Sequence, residues 1–425
     1  MYSFQEIKKG LQDVSFDSAL NFIYGAGFAK QKERYLRVLD TFGTLYGTDV
    51  EIGFFSAPGR SEICGNHTDH NHGKVLAAAI NLDAIAAVAE NNKEVIRLKS
   101  EGYDMDLVDI NDLEPKVAEF SKSKGLIRGV CAGFVKRGYK IGGFDAATAN
   151  DVLSGSGLSS SAAFEVLVGT IINYLFNDGK VTPVEIAQIA QEAENKFFGK
   201  PCGLLDQTTC SVGGFVYIDF NDPVNPAIKP IDFAFEACGH ALCIVDTGGS
   251  HSGLTNEYAA VREEMVAVAK SLGHDVLRDA DEAQFFNSID LIRKVVGDRA
   301  ILRAQHFFSE NRRVDAQVEA LRRQKFGEFK KLVISSGRSS YMYNQNVFSS
   351  KDSRSQPVSL GLCLSEVLLE GKGAWRVHGG GFAGTIQAFV PNEMLAEYKS
   401  RMELVFGKGR CYVLSIRPVG GTCVI

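Results

Sequence analysis

The stretch DVLSGSGLSSSAA at residues 151–163 has the composition of an anion-binding loop. Gly and Ser residues precede a triple serine, and the chain continues as AAFEVLVGTIINYLF, whose apolar residues are spaced as in a buried helix. A Gly/Ser loop that opens a helix presents unpaired N–H groups at the positive end of the helix dipole, and such a site binds phosphate. The serine hydroxyls can also reach Mg²⁺, which prefers oxygen ligands. A tight turn with a serine-rich helix cap is the alternative.

This loop matches neither of two common nucleotide-binding motifs. It is not a Walker A loop, because no Gly-Lys pair in the chain is followed by Ser or Thr. It fails the dinucleotide fingerprint, because Ser160 stands where the third Gly would be. The phosphate-loop hypothesis therefore depends on what other segments supply.

A second segment, APGRSEICGNHTDHNHGKVL at residues 57–76, concentrates polar side chains between two predicted apolar strands. Polar groups at this density in a loop indicate binding. They are Arg60, Glu62, Asn66, His67, Asp69, His70 and His72. The last four include metal-binding side chains, but no HExxH spacing or second His/Cys cluster accompanies them. A solvated polar loop is the other alternative.

A third segment, AENKFFGKPCGLLDQTTCSVGG at residues 193–214, places Asp206 between apolar residues. A carboxylate is costly there unless it is paired or used. Glu194 lies near the end of the preceding predicted helix. The alternatives are a helix-capping Asp and a surface Glu.

The fourth segment is the glycine-rich run HGGGFAG at residues 378–384. An HGGG run is similar to the oxyanion loop of lipases, but that interpretation requires a G-x-S-x-G nucleophile elbow, which the chain lacks. A turn that lets the backbone approach a phosphate or an adenine fits better.

Composition excludes several classes of function. Hydrophobic residues make up 45% and charged residues 23%, as in ordinary globular proteins. The net charge of −5 indicates neither a nucleic-acid nor an anionic-membrane partner. No apolar run reaches the length of a membrane span, and no secretory h-region is seen at the N-terminus. Nine cysteines without CxxC pairs favour free thiols in the cytoplasm. We expect a monomer.

The elements around these segments predict an α+β protein. A chain of 425 residues is too long for one ordinary domain, so we expect two. The predicted N-terminal domain spans 1–228, with 1–50 as a helical extension packed on it, and the C-terminal domain spans 229–425. Strands are predicted at 51–60, 75–91, 95–100, 144–153, 213–220 and 241–248, although the Ala content of 75–91 also allows a helix. Helices are predicted at 125–138, at 183–198 after a capping box, and across 256–335.

Together the four segments resemble the GHMP small-molecule kinases, and within them the members that phosphorylate galactose. The signature GRxNLIGEHTDYNxG is similar to residues 59–73, and the loop PxGxGLSSSA to residues 153–162. The stretch AExxFxGxPCGxMDQ is similar to residues 193–207, and GGGFGG to residues 379–384. HSGLTNEYAAVR at 251–262 resembles HSLxxSEYxxRR. The order and spacing cover residues 55–420.

The resemblance implies a two-domain fold with mixed sheet and helices in each domain and an active site in the cleft between them. It implies ATP and Mg²⁺ as cofactors, a sugar as the small-molecule partner, and galactose 1-phosphate and ADP as products. The ATP phosphates would contact Gly155, Ser156, Gly157, Leu158, Ser159, Ser160 and Ser161. Ser161 and Glu194 would bind Mg²⁺. Asp206 and Arg60 would be catalytic. The implied sugar-binding residues are Asn66, His67, Asp69, Gly203 and Tyr258.

Three departures from the family pattern bear on this prediction. Leu153 replaces the loop Pro, and Ala383 replaces a Gly of the last motif. Asn66 replaces a Glu that contacts the exocyclic C6 hydroxyl. An Asn retains hydrogen bonding but removes a negative charge, so galacturonate or L-arabinose are alternative substrates. A non-catalytic galactose sensor is a further alternative, against which the unbroken triple serine argues.

Overall fold

The computed structural model describes residues 1–153, 157–249 and 254–425. The α-helices in these ranges are α1 (Phe4–Gln12), α2 (Asp17–Tyr24), α3 (Phe28–Tyr46), α4 (Ser123–Lys136), α5 (Ser160–Phe176), α6 (Pro183–Ala193), α7 (Leu205–Val212), α8 (Thr255–Ser271), α9 (Glu282–Asn287), α10 (Ile289–Val296), α11 (Asp298–Arg322), α12 (Phe326–Ser339), α13 (Pro357–Leu369) and α14 (Leu395–Phe406). Two of them continue into π-helical turns: Glu194–Phe198 follows α6 and Ser340–Asn344 follows α12.

The strands form two separate sheets. They are β1 (Tyr2–Ser3), β2 (Glu51–Cys64), β3 (Lys74–Glu90), β4 (Val95–Ser100), β5 (Met105–Asp109), β6 (Phe144–Asn150), β7 (Phe215–Asp219), β8 (Ala227–Ile231), β9 (His240–Asp246), β10 (Ala374–Val377), β11 (Thr385–Pro391), β12 (Cys411–Leu414) and β13 (Thr422–Cys423). The predicted strands of the sequence analysis are confirmed at these positions.

The larger sheet is organised around β3. Among the described residues it has nine strands, ordered β1-β2-β3-β6-β4-β5, with β13 paired to β2 and β7 paired to β3 and β8. The first part of β3 pairs with β7 and its second part with β6, while β2 runs antiparallel along both. Strand β8 contains the predicted domain boundary, and β13 brings the C-terminus back to this sheet. The division at residue 228 stays a prediction.

The Ala-rich sequence of β3 forms a strand because both of its faces are covered. Ala84, Ala86 and Val88 pack in the core beneath α5. Ile85 and Ala87 point to the other face, against the N-terminal helices α1–α3. Side chains alternate between the faces of a strand, and a strand buried on both faces has a continuous apolar sequence. Small side chains let a helix approach each face.

The N-terminal helices are joined to this sheet by a buried charge cluster around Asp83. Arg34 Nη1 of α3 donates to Asp83 Oδ1 at 2.6 Å, and Arg417 Nη1 donates to Oδ2 at 2.9 Å. Tyr24 Oη donates to Oδ2 at 2.6 Å, and Ser56 Oγ donates to the same oxygen. The cluster ties α2, α3, β2 and the C-terminal segment to one carboxylate.

The smaller sheet has the strand order β10-β11-β9-β12, all antiparallel. Trp375, Val377 and Ile386 of this sheet pack in one core with residues of α13 and α14. Helices α11 and α12 pack on each other between the two sheets, and Val314 and Val333 of these helices contribute to the core of the larger sheet. The Gly-rich turn between β10 and β11 is thereby held facing the end of β2.

Candidate active site

Arg60 and Asp206 form an ion pair at the centre of the candidate site. Arg60 lies in β2, and Asp206 lies in the first turn of α7. Arg60 Nε and Nη2 lie 2.7 and 2.6 Å from Asp206 Oδ1. Ser159 Oγ donates a hydrogen bond of 2.5 Å to Asp206 Oδ2. The Asp206 side chain remains 35% exposed, so one side of the carboxylate is open to a ligand.

Arg60 supplies a permanent positive charge beside this carboxylate. Burial alone would lower the pKa of Arg60, but the attraction of Asp206 raises it above the ordinary value. A guanidinium held in this way stabilises negative charge that develops next to it during a reaction.

A cavity of about 360 Å³ opens beside the ion pair, a size suited to a small ligand. Its walls come from the end of β2 and the loop after it, from the segment before α7, and from the Gly-rich turn. The predicted site residues in this lining are Arg60, Asn66, His67, Asp69, Gly203 and Asp206. The fold therefore brings together three of the four segments that the sequence analysis singled out.

Asp69 and Gly203 lie next to each other in the lining of this cavity. Within the described part of the chain, no group donates a hydrogen bond to the Asp69 carboxylate. A Cβ atom on Gly203 would lie 3.5 Å from Asp69 Oδ2. With no side chain at position 203, this side of Asp69 Oδ2 stays uncovered, and a carboxylate without a bonded donor suits adjacent hydroxyl groups.

Asn66 lies at the cavity wall, but its side chain is bonded to the protein on every side. Its Nδ2 donates to Glu62 Oε1 at 3.1 Å and to the Gly379 carbonyl at 2.7 Å. Its Oδ1 accepts from Asn346 Nδ2 at 2.8 Å and from Ser340 Oγ at 3.3 Å. Both donors and both acceptor positions of the amide are occupied, and Asn66 is 0% exposed.

Two side chains of α11 support the loop that carries these residues. The ring of His306 bonds through Nε2 to the Asn66 carbonyl at 2.9 Å. Glu310 Oε1 accepts from the Gly65 amide at 3.1 Å and from Ser336 Oγ at 2.5 Å. Burial works to raise the pKa of Glu310, but His306 and Arg313 lower it to about 2. A buried negative charge therefore holds the turn after β2 in place.

The described part of the serine loop is fastened to β2. Gly155 and Ser156 lie outside the described residues. The Leu158 carbonyl accepts from the Arg60 amide at 3.0 Å, and the Gly157 carbonyl accepts from Arg60 Nη1. Ser159 has a positive φ of 63° and precedes α5, which begins at Ser160. The loop thus leads into a helix N-terminus next to the Arg60–Asp206 ion pair, as the phosphate-loop hypothesis requires.

Ser161 and Glu194 lie together beside this loop. Ser161 Oγ donates to Glu194 Oε1 at 2.9 Å. Gln207 Nε2 donates to Glu194 Oε2 at 2.7 Å, and Lys200 Nζ lies 2.8 Å from Oε1. The Lys200 side chain is 60% exposed and is free to move away from a carboxylate that is 2% exposed. A hydroxyl and one carboxylate suit Mg²⁺, which takes few protein ligands and keeps phosphate oxygens and waters.

The Gly-rich turn after β10 reaches the cavity, and its first residue, His378, lies near Gly157 of the serine loop. His67 Nε2 bonds to the Gly380 carbonyl at 2.8 Å, and Tyr258 Oη donates to the Gly381 carbonyl at 2.9 Å. Gly381 has a φ of 76°, and a Cβ there would lie 1.9 Å from the Asn346 carbonyl, so only Gly fits. Tyr258 lies against this turn and not in the described lining of the cavity.

His378 begins this turn as a buried neutral side chain. Its Nδ1 lies 2.9 Å from Thr385 Oγ1 and its Nε2 lies 3.1 Å from Ser61 Oγ. Burial, with the charges of Arg60 and Arg376, lowers the pKa of His378 to about 3. The ring therefore serves as a packed hydrogen-bonding link between the turn and β2.

Sequence reasoning missed the roles of Glu62, Lys200 and Arg376. Glu62 and Lys200 line the cavity, and Arg376 Nη2 lies 3.1 Å from Glu62 Oε1. Burial raises the pKa of Glu62, and Arg376 opposes that rise. A signal for Glu62 was present, because residues two apart on a strand share a face and Arg60 precedes it by two. No such signal was present for Arg376, because Arg376 and its partner Glu62 are more than 300 residues apart in the chain.

The metal-centre alternative finds no support in this arrangement. Within the residues that the structure describes, no three or more His, Cys, Asp or Glu side chains are grouped to hold a metal ion. The four candidate ligands His67, Asp69, His70 and His72 thus form no metal centre there. Among the same residues no helix combines the length and the apolar character needed to cross a bilayer.

Comparisons with known folds define the class of protein. The model described as GHMP kinases N terminal domain matches residues 125–214. A Lactococcus lactis galactokinase, solved as a complex with galactose, superimposes with a TM-score of 0.74 at 23% identity, over 90% of this chain and 98% of that one. The Methanococcus jannaschii mevalonate kinase gives 0.62 at 14% identity, over 86% and 98%. The chain has the GHMP kinase fold, which confirms the expected α+β class.

Sequence comparisons identify the family within the GHMP kinases to which the chain belongs. The model described as galactokinase galactose-binding signature matches residues 40–90. A galactokinase of Glaesserella parasuis serovar 5 (strain SH0165) is 33% identical over 79% of this chain and 85% of its own length. A galactokinase of Streptomyces coelicolor is 32% identical over 83% and 87%. The chain belongs to the galactokinase family of GHMP kinases, and the resemblance drawn from the four segments is confirmed.

Proposed function

We propose that this protein phosphorylates the anomeric hydroxyl of galactose with ATP, giving galactose 1-phosphate and ADP. The observation that carries the proposal is the Arg60–Asp206 ion pair, which lies between a small-ligand cavity and the serine loop. A phosphoryl-transfer site needs a hydroxyl held in line with the γ-phosphate and a group that holds or accepts its proton. The relatives compared above are named galactokinases, which supports this substrate.

Asp206 is the proposed acceptor of the sugar's anomeric proton. Its Oδ1 is engaged by Arg60 and its Oδ2 by Ser159, so the carboxylate has a defined orientation. The exposed side of the carboxylate faces the cavity, where the hydroxyl would hydrogen-bond to it. Arg60 would stabilise the charge that develops on the attacking oxygen and on the transferred group.

Asp69 is the proposed grip on two adjacent ring hydroxyls. Its carboxylate faces the cavity, and the glycine at position 203 leaves space in front of it. His67 and Asn66 shape the same wall through their bonds to the Gly-rich turn. Tyr258 would support the sugar site by holding that turn.

The loop at 155–161 is the proposed cradle for the ATP phosphates. Ser159 already bonds Asp206, so the transferred phosphate would arrive beside the proton acceptor. Ser161 and Glu194 would hold Mg²⁺, which on binding neutralises phosphate charge. Lys200 pairs with Glu194 in the protein and would then be free to reach a phosphate.

The proposed location and partners follow from the cysteines and the net charge of the chain. All nine cysteines are free thiols, which supports the reducing cytoplasm as the location. The net charge of −5 supports small molecules, not nucleic acid, as partners. A monomeric state is part of the same proposal.

A coupled assay of ADP release tests the proposal. With ATP and Mg²⁺, we expect kcat/KM for galactose to exceed the values for galacturonate and L-arabinose by ~10-fold or more, since sites that bind a substrate hydroxyl discriminate strongly. Phosphorus NMR of the product should show an anomeric phosphate. A larger kcat/KM for galacturonate would overturn the assignment of the sugar. Sugar binding without any ADP release would identify a sensor.

A further inference from the structure

We propose that Glu62, and not Asn66, is the residue that contacts the exocyclic C6 hydroxyl of the sugar and excludes a C6 carboxylate. This inference rests on the proposed function, because it names the group that selects the sugar in that site. It concerns a strand residue, where the sequence pattern pointed to a residue in the loop that follows.

The two side chains differ in what they offer to a ligand. The Asn66 amide has every hydrogen-bonding position filled by protein groups and is 0% exposed. The Glu62 side chain is 14% exposed and lines the cavity. Only Glu62 therefore has surface that a sugar can touch.

One oxygen of Glu62 is committed to the protein and the other is not. Oε1 accepts hydrogen bonds from Asn66 Nδ2 and Arg376 Nη2, each at 3.1 Å. Within the described residues, nothing donates to Oε2. A carboxylate anchored through one oxygen presents the other in a fixed direction, and that oxygen can accept a hydrogen bond from a sugar hydroxyl but not from a second ionised carboxylate.

The position of Glu62 also places it on the sugar side of the catalytic pair. Arg60 and Glu62 are two residues apart on β2 and both line the cavity. Asp69 and Asp206 occupy other parts of the same lining. Three carboxylates thus line this cavity. Arg60 is paired with Asp206 and Lys200 with Glu194, so a further negative charge brought next to Glu62 would be repelled.

The family signature explains why the sequence pattern pointed to Asn66 as the residue that contacts the C6 hydroxyl. It carries Asn and Glu at the positions of Glu62 and Asn66, so this chain has the two residue types in exchanged positions. The exchanged residues are hydrogen-bonded to each other at 3.1 Å. The carboxylate therefore lies at position 62 instead of position 66, and the cavity keeps its negative charge. Galacturonate was an alternative only because Asn66 removes such a charge, so this reason to expect it no longer holds.

The test compares galactose with 6-deoxygalactose, which lacks the hydroxyl in question. In the parent protein, we expect kcat/KM for galactose to exceed that for 6-deoxygalactose by ~10- to 100-fold, the worth of a hydrogen bond to a charged group. In Glu62→Gln this ratio should fall at least ~5-fold, and the galactose-to-galacturonate ratio should fall with it. Ratios on a single preparation do not depend on the folded fraction.

A matched control is Glu192→Gln. Glu192 is 15% exposed, close to the 14% of Glu62, and is also ion-paired, to the exposed Lys136 at 2.7 Å, but it is not in the described lining of the cavity. Its sugar ratios should equal those of the parent. If Glu62→Gln lowers kcat/KM for galactose and 6-deoxygalactose by the same factor, their ratio is unchanged, Glu62 has only a structural role and the inference is overturned. The inference is overturned as well if both values equal those of the parent.

A separate measurement distinguishes this inference from the proposed function. Dissociation constants for galactose and 6-deoxygalactose, measured by calorimetry without nucleotide, do not require turnover. No ADP release from the parent with galactose, combined with a ratio of constants that falls in Glu62→Gln, would reject the proposed function and retain the inference. Normal ADP release from the parent, combined with a ratio of dissociation constants that is unchanged in Glu62→Gln, would retain the proposed function and reject the inference. A parent that binds neither sugar would reject both.

Discussion

Two carboxylates of this protein, Asp83 and Asp206, are each bonded to arginine, but only Asp206 has a side that is open to a ligand. Asp83 is 0% exposed and is closed in by Arg34 and Arg417, which are 5% and 0% exposed. Asp206 is 35% exposed, and its partner Arg60 is 12% exposed. The same chemical pair joins parts of the fold where it is sealed, and is available to a substrate where it faces a cavity.

The comparison shows why a charge pair alone does not identify an active site. A buried pair is seldom a net source of stability, although breaking it leaves an uncompensated charge and is expensive. An active site needs the pair to be defined in geometry and yet reachable. Exposure on one side, together with the adjacent serine loop, distinguishes Asp206 from Asp83.

The largest effect is expected for Asp206→Asn. The amide keeps the shape and can accept from Arg60, but it cannot take a proton, so kcat should fall by ~10³-fold. Galactose affinity and the melting temperature should stay close to those of the parent. Steady-state kinetics with calorimetric titration check this result. A variant with more than a tenth of the parent kcat would remove Asp206 from its proposed role.

The next largest effect is expected for Asp83→Asn, and it should appear in stability instead of rate. Removing one partner of a buried ion cluster costs about 3–5 kcal/mol, because Arg34 and Arg417 would lose their counter-charge. Urea unfolding measures the free energy, and kcat of the folded protein should be unchanged. A large drop in kcat at full stability would show that the cluster acts on the site.

Acid titration of the same variant provides its control. Burial works to raise the pKa of Asp83, but Arg34, Arg417 and Ser56 lower it below 3.8. A pKa lower in the folded state than in the unfolded chain gives stability that is complete above the unfolded pKa of ~3.9 and is lost as the pH falls through the folded value. Parent and variant should therefore approach each other in stability at acid pH.

The smallest of the three effects is expected for Glu194→Gln, whose carboxylate is buried yet paired to an exposed lysine. Loss of one ligand charge should raise the Mg²⁺ concentration for half-maximal rate by about 10- to 100-fold, with kcat at saturating Mg²⁺ reduced less. A titration of ADP release against Mg²⁺ measures this shift. The same Mg²⁺ dependence in variant and parent would exclude Glu194 as a ligand.

Much of the fold and of the site could be predicted from local patterns. The capping box at Thr182 is formed, with Thr182 Oγ1 accepting from the Glu185 amide. The apolar run of β3 indicated a buried strand, and the serine loop indicated a helix N-terminus. These succeeded because each depends on residues within a few positions of one another. The roles assigned to site residues stay predictions that the variants above test.

The sequence by itself determined the chemistry available to this protein: an arginine, a set of carboxylates, and a serine-rich loop, in an order that resembles one family of kinases. Only the tertiary structure decided which of these groups face a ligand. Asn66 bonds residues 274 and 280 positions away, and Glu62 turns toward the cavity beside it. The physical reason is that a side chain's free hydrogen-bonding capacity depends on what packs against it, and here those neighbours come from the far half of the chain.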